Sequence, residues 1–469
     1  MKYALLCCLI YGSAQHRVVA QSIHFEKDSL SQVFARAQQQ HKPVFVLLSP
    51  PPPPAGLPAE LKKQRSKSGL HAPAVVARLN QDFLSKELPF GTVASTAVAR
   101  KYLVTSYPTY LYFNPDGALL FRRFGNTTTG ERYLQDLQAV QQAQADPHNL
   151  SYFQAEFGRG NRTPDFLKQY LIKRRQLCQG VEPDLLNEYV RQLPVRALYQ
   201  APEVLFILEN GPVVGSKAFQ LSHLNQKLVD SLYQSLPQPQ RVALNNRIIT
   251  NTMAQATATK NRDQAAQGAA FARSSWTADY RRGAQSYERN MLTFYLSTKD
   301  TANYLRQAVS FYERYYLNIP ADSAAKAVAA LRAFRQQQRA NVQQLVAAAK
   351  HPAAPKAPAT GLVTTMRPVA VGSSPAGFLQ ELNNGAWAIY QTGTRTKDYL
   401  WHATMWSKRT VDLDPTPYNY DTLAHLLYRL GFYQEAEARE QQAASLARQQ
   451  QAAAVGYEQE LAKMRKRAL

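Results

Sequence analysis

Five consecutive prolines, Pro50–Pro54, follow an apolar run, Val44-Phe45-Val46-Leu47-Leu48, with only Ser49 between them. Proline has no N–H and a fixed φ, so neither a helix nor a sheet ladder runs through such a stretch. The prolines therefore end whatever Val44–Leu48 begins. Five apolar residues bounded by Pro43 on one side and the proline run on the other predict a buried strand. Beyond it the chain must leave as a polyproline II-like strut, with no amide donors to offer a ligand.

The 469 residues hold three cysteines, Cys7, Cys8 and Cys178. Lys2, the apolar stretch Ala4–Tyr11 and the small-residue pattern Val18-Val19-Ala20 before Gln21 have the layout of a secretory signal over residues 1–20. The expected destination is outside the cytoplasm, periplasmic or secreted. The apolar run before Cys7 is too short for a lipid-anchoring signal. No run of about twenty apolar residues predicts a membrane span. Removal of the signal leaves Cys178 alone, so the mature chain can form no disulfide within itself.

From residue 21 to 146 helical and strand patterns alternate. Asp28 or Ser29 caps a helix reaching Gln40, and the strand Val44–Leu48 follows. A helix is expected over Ala72–Leu79, a strand over Phe83–Phe90 and a short helix over Ala94–Tyr102. Tyr110–Phe113 and Ala118–Phe124 form a hairpin around Asn114-Pro115-Asp116-Gly117. Thr129–Ala143 closes the unit as a helix with Tyr133, Leu134, Leu137 and Val140 inward. The order predicts an α/β sheet with a terminal antiparallel hairpin.

This stretch resembles the thioredoxin-like family through Lys42-Pro43-Val44-Phe45-Val46, Tyr102-Leu103-Val104, Tyr107-Pro108-Thr109, Asn114-Pro115-Asp116-Gly117 and the aromatic strand Phe121–Phe124. The resemblance implies a cis peptide bond at Pro108 and a peptide groove around Ser106, Tyr107, Pro108 and Thr109. It also implies that the family's Cys-x-x-Cys would fall near Pro53–Gly56, and its buried acid at Leu47. Ser49, Pro50, Pro51, Pro52, Pro53, Pro54, Ala55 and Gly56 thus stand as a degenerate active-site loop. Dithiol exchange needs an attacking thiolate and a second cysteine to resolve the mixed disulfide, and this loop supplies neither.

From 149 to 349 the pattern turns helical, with amphipathic segments at Thr163–Gln179, Leu185–Leu193, Val204–Leu208, Leu221–Leu236, Val242–Met253, Tyr287–Leu296 and Tyr304–Leu317. Residues 350–376, rich in Pro, Ala, Gly and Thr, read as a linker. Tyr295, Tyr304-Leu305, Ala308 and Pro320 recur 95 residues on as Tyr390, Tyr399-Leu400, Ala403 and Pro415. Ala403, Ala424, Tyr428, Leu430-Gly431, Tyr433 and Ala436 then resemble a tetratricopeptide helix pair, whose small residues let two helices approach closely. Residues 377–469 are therefore expected as tetratricopeptide-like hairpins. The fold class expected for the chain is an α/β thioredoxin-like domain followed by an all-α helical-repeat region.

Catalytic signatures are lacking. There is no His-Glu-x-x-His, no thiolate cluster, no Gly-x-Ser-x-Gly and no phosphate-binding loop, so neither metal nor cofactor is expected. His402 and His425 fall on repeat-like helices, where packing or surface roles are the ordinary ones. Cys178, at helical spacing with Leu171 and Leu177, reads as a buried or half-buried free thiol. The net charge of +22 is scattered, and its densest runs, Lys62–Lys67, Lys173-Arg174-Arg175 and Lys463–Arg467, lack the interleaved aromatics of a nucleic-acid groove. The expected function is binding of proteins or peptides through the helical array and the Pro108 groove, with no reaction assigned. Two rivals stand beside it: a single-cysteine thiol–disulfide oxidoreductase acting through Cys178, and a basic binder of an anionic envelope polymer or nucleic acid.

Overall fold

The computed structural model describes residues 22–52, 67–179, 182–350, 376–450 and 454–469. The proposed signal, most of the 350–376 segment and Pro53, Pro54, Ala55 and Gly56 lie outside them. The N-terminal unit contains helices α1 (Leu30–Gln40), α2 (Pro73–Asp82), α3 (Val93–Lys101) and α4 (Glu131–Ala145). Its strands are β1 (Val44–Leu48), β2 (Leu84–Leu88), β3 (Thr109–Phe113) and β4 (Leu119–Phe124), in sheet order β2-β1-β3-β4. β2 runs parallel to β1, and β3 and β4 are antiparallel to their neighbours, giving a mixed sheet.

All five residues of β1 are buried, which is why its sequence is apolar without alternation. Val44, Val46 and Leu48 pack with Leu111 and Phe113 against Val33 and Ala37 of α1 and Val98 of α3. Phe45 and Leu47 pack with Tyr110 and Tyr112 against Val75, Val76 and Leu79 of α2 and Tyr133, Leu137 and Val140 of α4. Helices thus cover both faces. Ser29 is the cap of α1: its hydroxyl accepts from the Gln32 amide while the Gln32 side chain accepts from the Ser29 amide. β2 stops at Leu88, short of the expected Phe90, because Pro89 cannot continue the ladder.

Leu134 is a correction. It is 37% exposed, because it lies off the face set by Tyr133, Leu137 and Val140. The buried neighbour is instead Asp136, which pairs with Arg123 of β4 at 2.8 Å and ties α4 to the sheet.

The rest of the described chain is helical: α5 (Leu150–Gly158), α6 (Pro164–Gln176), α7 (Pro183–Gln192), α8 (Ala201–Glu209), α9 (Lys217–Ser222), α10 (Gln226–Ser235), α11 (Gln238–Thr259), α12 (Arg262–Ser274), α13 (Tyr280–Thr298), α14 (Thr301–Tyr312), α15 (Ala321–Lys350), α16 (Gly377–Gln391), α17 (Lys397–Leu413), α18 (Pro417–Leu430), α19 (Tyr433–Gln449) and α20 (Val455–Arg465). Proline opens α6, α7 and α18, where a missing N–H costs nothing. The helix expected over Leu221–Leu236 is two: Asn225 accepts from the Leu228 amide and starts α10 afresh, leaving Leu224 exposed. The segment expected over Tyr304–Leu317 ends in one turn of π-helix, Glu313–Leu317.

Two large cores and smaller clusters, among them Val204, Leu208, Val229, Leu244 and Ile248 of α8, α10 and α11, organise these helices. The first continues from the sheet: Leu150, Phe153, Phe166, Tyr170 and Leu186 belong to the cluster that holds Val46 and Phe113. The second gathers Tyr295, Tyr304, Leu305, Ala308 and Phe311 with Leu382, Ile389, Leu400, Ala403 and Trp406. Helices on both sides of residues 351–375 thus share one interior. Arg289 to Glu381 (3.0 Å), Arg335 to Asp414 (2.6 Å) and His402 to Glu313 (2.6 Å) cross the same junction. Most positions of the 95-residue repeat, Tyr295, Tyr304-Leu305, Ala308, Leu400 and Ala403, are buried in this one core. α18 and α19 form a tight hairpin in which Ala424 and Ala436 are fully buried and Gly431, at φ 93°, makes the turn.

Gly385 sits in the interior of α16, and a Cβ there would come 2.6 Å from the ring of Tyr312, itself packed on Trp406 at 5.0 Å. Replacing a mid-helix glycine with alanine ordinarily stabilises by about 0.5–1 kcal/mol. Here overpacking at about 1–3 kcal/mol outweighs that gain. Gly385→Ala is expected to lower stability by roughly 1–2 kcal/mol, read as a lower urea midpoint with an unchanged slope.

Candidate functional site

The sheet register brings three loops to one place. Leu48 stands opposite Thr109 and beside Leu88. The exits of β1 (Ser49–Pro52) and β2 (Pro89–Gly91) and the approach to β3 (Ser106–Pro108) therefore meet at one end of the sheet. Ser49 is tied to β2, its amide donating to the Leu88 carbonyl at 3.1 Å and its hydroxyl to the Glu87 carboxylate. The Tyr107–Pro108 bond is cis. Thr109 Oγ1 donates to the Ser106 carbonyl at 2.5 Å, and the Gly125 amide donates to the Pro108 carbonyl at 2.9 Å.

Ser106, Tyr107 and Thr109 are buried and Pro108 is half-buried. The surface above them is made by Phe90, 45% exposed, which meets the Tyr107 ring edge-on at 5.0 Å. Val93, the first residue of α3, is 89% exposed beside this loop. Burial pushes the Tyr107 phenol up, so it stays neutral. Among the described residues this end of the sheet holds no thiol, and its one nearby carboxylate, Glu87, is already engaged by Ser49. What it offers a ligand is aromatic surface and main chain.

Cys178 lies elsewhere and is a correction to the sequence reading. It is exposed. α6 ends at Gln176, Leu177 takes the buried position, and Cys178 has φ 49°, a left-handed turn that swings the side chain outward. Its carbonyl accepts from Arg122 of β4 at 3.4 Å. The basic run next to it is spent on ion pairs: Lys173 to Asp146 at 2.8 Å, Arg174 to Glu182 at 2.8 Å, and Arg175 to Glu209.

A second concave surface, missed in the sequence, opens between α12, α13 and the π-turn. A cleft of about 460 Å³ is lined by Arg273, Tyr280, Arg281, Tyr287, Arg314 and Tyr315 among others. Arg273 lies over the Tyr287 ring at 5.4 Å, and Arg314 pairs with Glu288 at 2.8 Å. Its residues come from three elements, so no single window of sequence displays them. Tyr280-Arg281-Arg282 was the one local signal. Among the described residues one gathering of metal-ligating side chains occurs, Asp421, His425 and Glu440 on α18 and α19. The Asp-x-x-x-His spacing within α18 was visible in the sequence, and the Glu440 partner from the next helix was not.

No protein-family model matches the chain, and no curated protein matches it. A solved structure described as "DsbH Oxidoreductase" is similar at 15% identity, over 28% of this chain and 93% of that one, with a TM-score of 0.22. The likeness is weak. Among the described residues no helix is long and apolar enough to cross a membrane.

An exposed thiol reacts without unfolding. Native protein is expected to give fast, stoichiometric labelling of Cys178 by a maleimide, with Cys178→Ser losing that adduct. Labelling at Cys178 only after denaturant is added would contradict its exposed position.

Proposed function

We propose that the chain is an exported, non-catalytic binding protein whose N-terminal unit is thioredoxin-like without the dithiol, and whose helical region, tetratricopeptide-like at its end, supplies further binding surface. The single observation that carries this reading is the sheet end at Ser106–Thr109. It presents Phe90, half-exposed and edge-on to the buried Tyr107, beside the main chain that leads into β3, with no thiol among the described residues there. Main-chain pairing with an extended peptide needs no sulfur, and adjacent apolar surface gives side-chain preference. The motif residues Lys42-Pro43, Tyr107-Pro108-Thr109 and Asn114-Pro115-Asp116-Gly117 support the family reading of the unit. The exported location rests on the Lys2 to Ala20 pattern.

The single-cysteine rival is not favoured by position: Cys178 sits against Arg122 of β4, away from the Ser106–Thr109 segment. The anionic-polymer rival gains from the arginine–tyrosine cleft and loses from the pairing of Lys173, Arg174 and Arg175 with acids. An acidic peptide suits the cleft, which Arg273 and Arg281 line.

Two measurements decide between these readings. In insulin reduction with dithiothreitol, the protein and Cys178→Ser are both expected to match the blank, whereas turnover that disappears in Cys178→Ser would establish the enzyme. Against an array of extended peptides, Phe90→Ala is expected to weaken binding about tenfold, as for loss of one anchoring aromatic, while Cys178→Ser leaves it unchanged. Equal binding by Phe90→Ala and the parent would refute the sheet-end site.

A further inference from the structure

Four side chains converge where α18, α19 and α20 meet. Asp421 and His425 stand one turn apart on α18, Glu440 comes from α19 and Glu460 from α20. One ligand atom from each of Asp421, His425 and Glu440 lies within 4.8 Å of the others. Glu460 Oε2 is 3.5 Å from His425 Nε2. His425 Nδ1 lies 2.9 Å from the Asp421 main-chain carbonyl, which only accepts. That nitrogen therefore donates there, with Asp421 Oδ1 3.4 Å from it, while Nε2 faces Glu460. Trp387 and Tyr390 of α16 each meet the imidazole edge-on at 5.3 Å and hold its plane.

Glu440 turns this cluster into a site. Its side chain is fully buried, and among the described residues its carboxylate oxygens meet no N–H or hydroxyl donor, only the carboxyl of Asp421, with which it can bond by sharing one proton. The buried positions around it on α19 are alanines, Ala436, Ala443, Ala444 and Ala447, so an acid here is not a packing choice. Its charged neighbours Asp421 and Glu460 are themselves acids. The nearest cationic side chain to Tyr390, Arg429, lies over that ring at 3.5 Å and donates to its carbonyl. An ionised carboxylate so placed costs several kcal/mol unless a cation or a proton answers it. Burial, then Asp421 and Glu460, push the Glu440 carboxyl up to about 9, and burial raises Asp421 as well.

We propose that Asp421, His425, Glu440 and Glu460 form a binding site for one divalent cation of the manganese-to-zinc class, which ties the last three helices together. Three carboxylates and one imidazole make a donor set of intermediate hardness, suited to these ions more than to Ca²⁺ or Mg²⁺. Donors bound at about 2.0–2.2 Å stand about 3.3–3.6 Å apart. The His425–Glu460 separation of 3.5 Å is already of that size. The Asp421, His425 and Glu440 donor atoms, within 4.8 Å of one another, would close on an ion by side-chain rotation. The Asp421 and Glu460 side chains, 16% and 28% exposed, open the site to solvent on one side.

The test is calorimetric titration of the full-length, chelator-treated chain carrying Cys178→Ser, with Mn²⁺ and Zn²⁺ as probes and Mg²⁺ as the hard comparator. The expected result is one Mn²⁺ or Zn²⁺ per chain and a raised Tm. Glu440→Gln and His425→Gln, each checked for native circular dichroism, should lose at least tenfold in affinity and lose the Tm rise. Absence of stoichiometric binding overturns the proposal, and so does binding that neither substitution weakens. A third outcome also overturns it: no ion bound, and a Glu440→Gln protein more stable than its parent at neutral pH. The cluster would then be a proton-sharing group of Glu440 and Asp421, faced by His425, Glu460, Tyr418 and Tyr457. Its stability would be full below the ordinary 4.5 of Glu440 and lost as pH rises through about 9.

Discussion

The arrangement depends on one five-residue strand that is dry on both sides. β1 lies between β2 and β3, and none of its residues is more than 8% exposed. Its odd and even positions feed separate cores, Val44, Val46 and Leu48 toward α1 and α3, Phe45 and Leu47 toward α2 and α4. A slip of one residue would exchange the two sets, placing Phe45 where Val44 and Val46 now fit. The register is thereby fixed, and with it the meeting of Ser49, Pro89 and Pro108 at one end. The geometry of the sheet end is thus a consequence of packing several residues away.

Charge is used mainly as an interhelical fastener. Although the chain carries +22, several of its cations face acids on other elements: Arg123 and Asp136, Lys168 and Glu203, Arg289 and Glu381, Arg335 and Asp414. Partly exposed pairs of this kind contribute little stability each, about 0–1 kcal/mol. They do select orientation, because Arg335 reaches both oxygens of Asp414 at 2.6 and 2.9 Å. In the α12–α13 cleft Arg273 and Arg281 group with tyrosines, while Arg314 pairs with Glu288.

Legibility in the sequence followed how local each signal was. The strand Val44–Leu48, the turn at Asn114–Gly117 and the cap at Ser29 are written in neighbouring residues, and the structure has them there. The mixed α/β unit followed by helices was readable for the same reason. Leu134 and Cys178 went astray because periodicity gives a face but not the covering element, and because a left-handed residue after a helix redirects its side chain. The break at Leu224 turned on one asparagine cap inside an otherwise apolar run. The Ser106–Thr109 segment was visible only through resemblance. Glu440 was invisible, since its significance comes from α18 and α20 rather than from its own helix.

The interior shared across residues 351–375 decides how the molecule can be divided. Tyr295, Tyr304 and Phe311 on the earlier side rest against Leu382, Ile389 and Trp406 on the later side. A fragment ending at residue 350 would leave the first set wet, and one starting at 376 would leave the second so. Each half would expose a broad greasy wall suited to self-association. The helices on the two sides of the proline-rich stretch keep one interior dry only together.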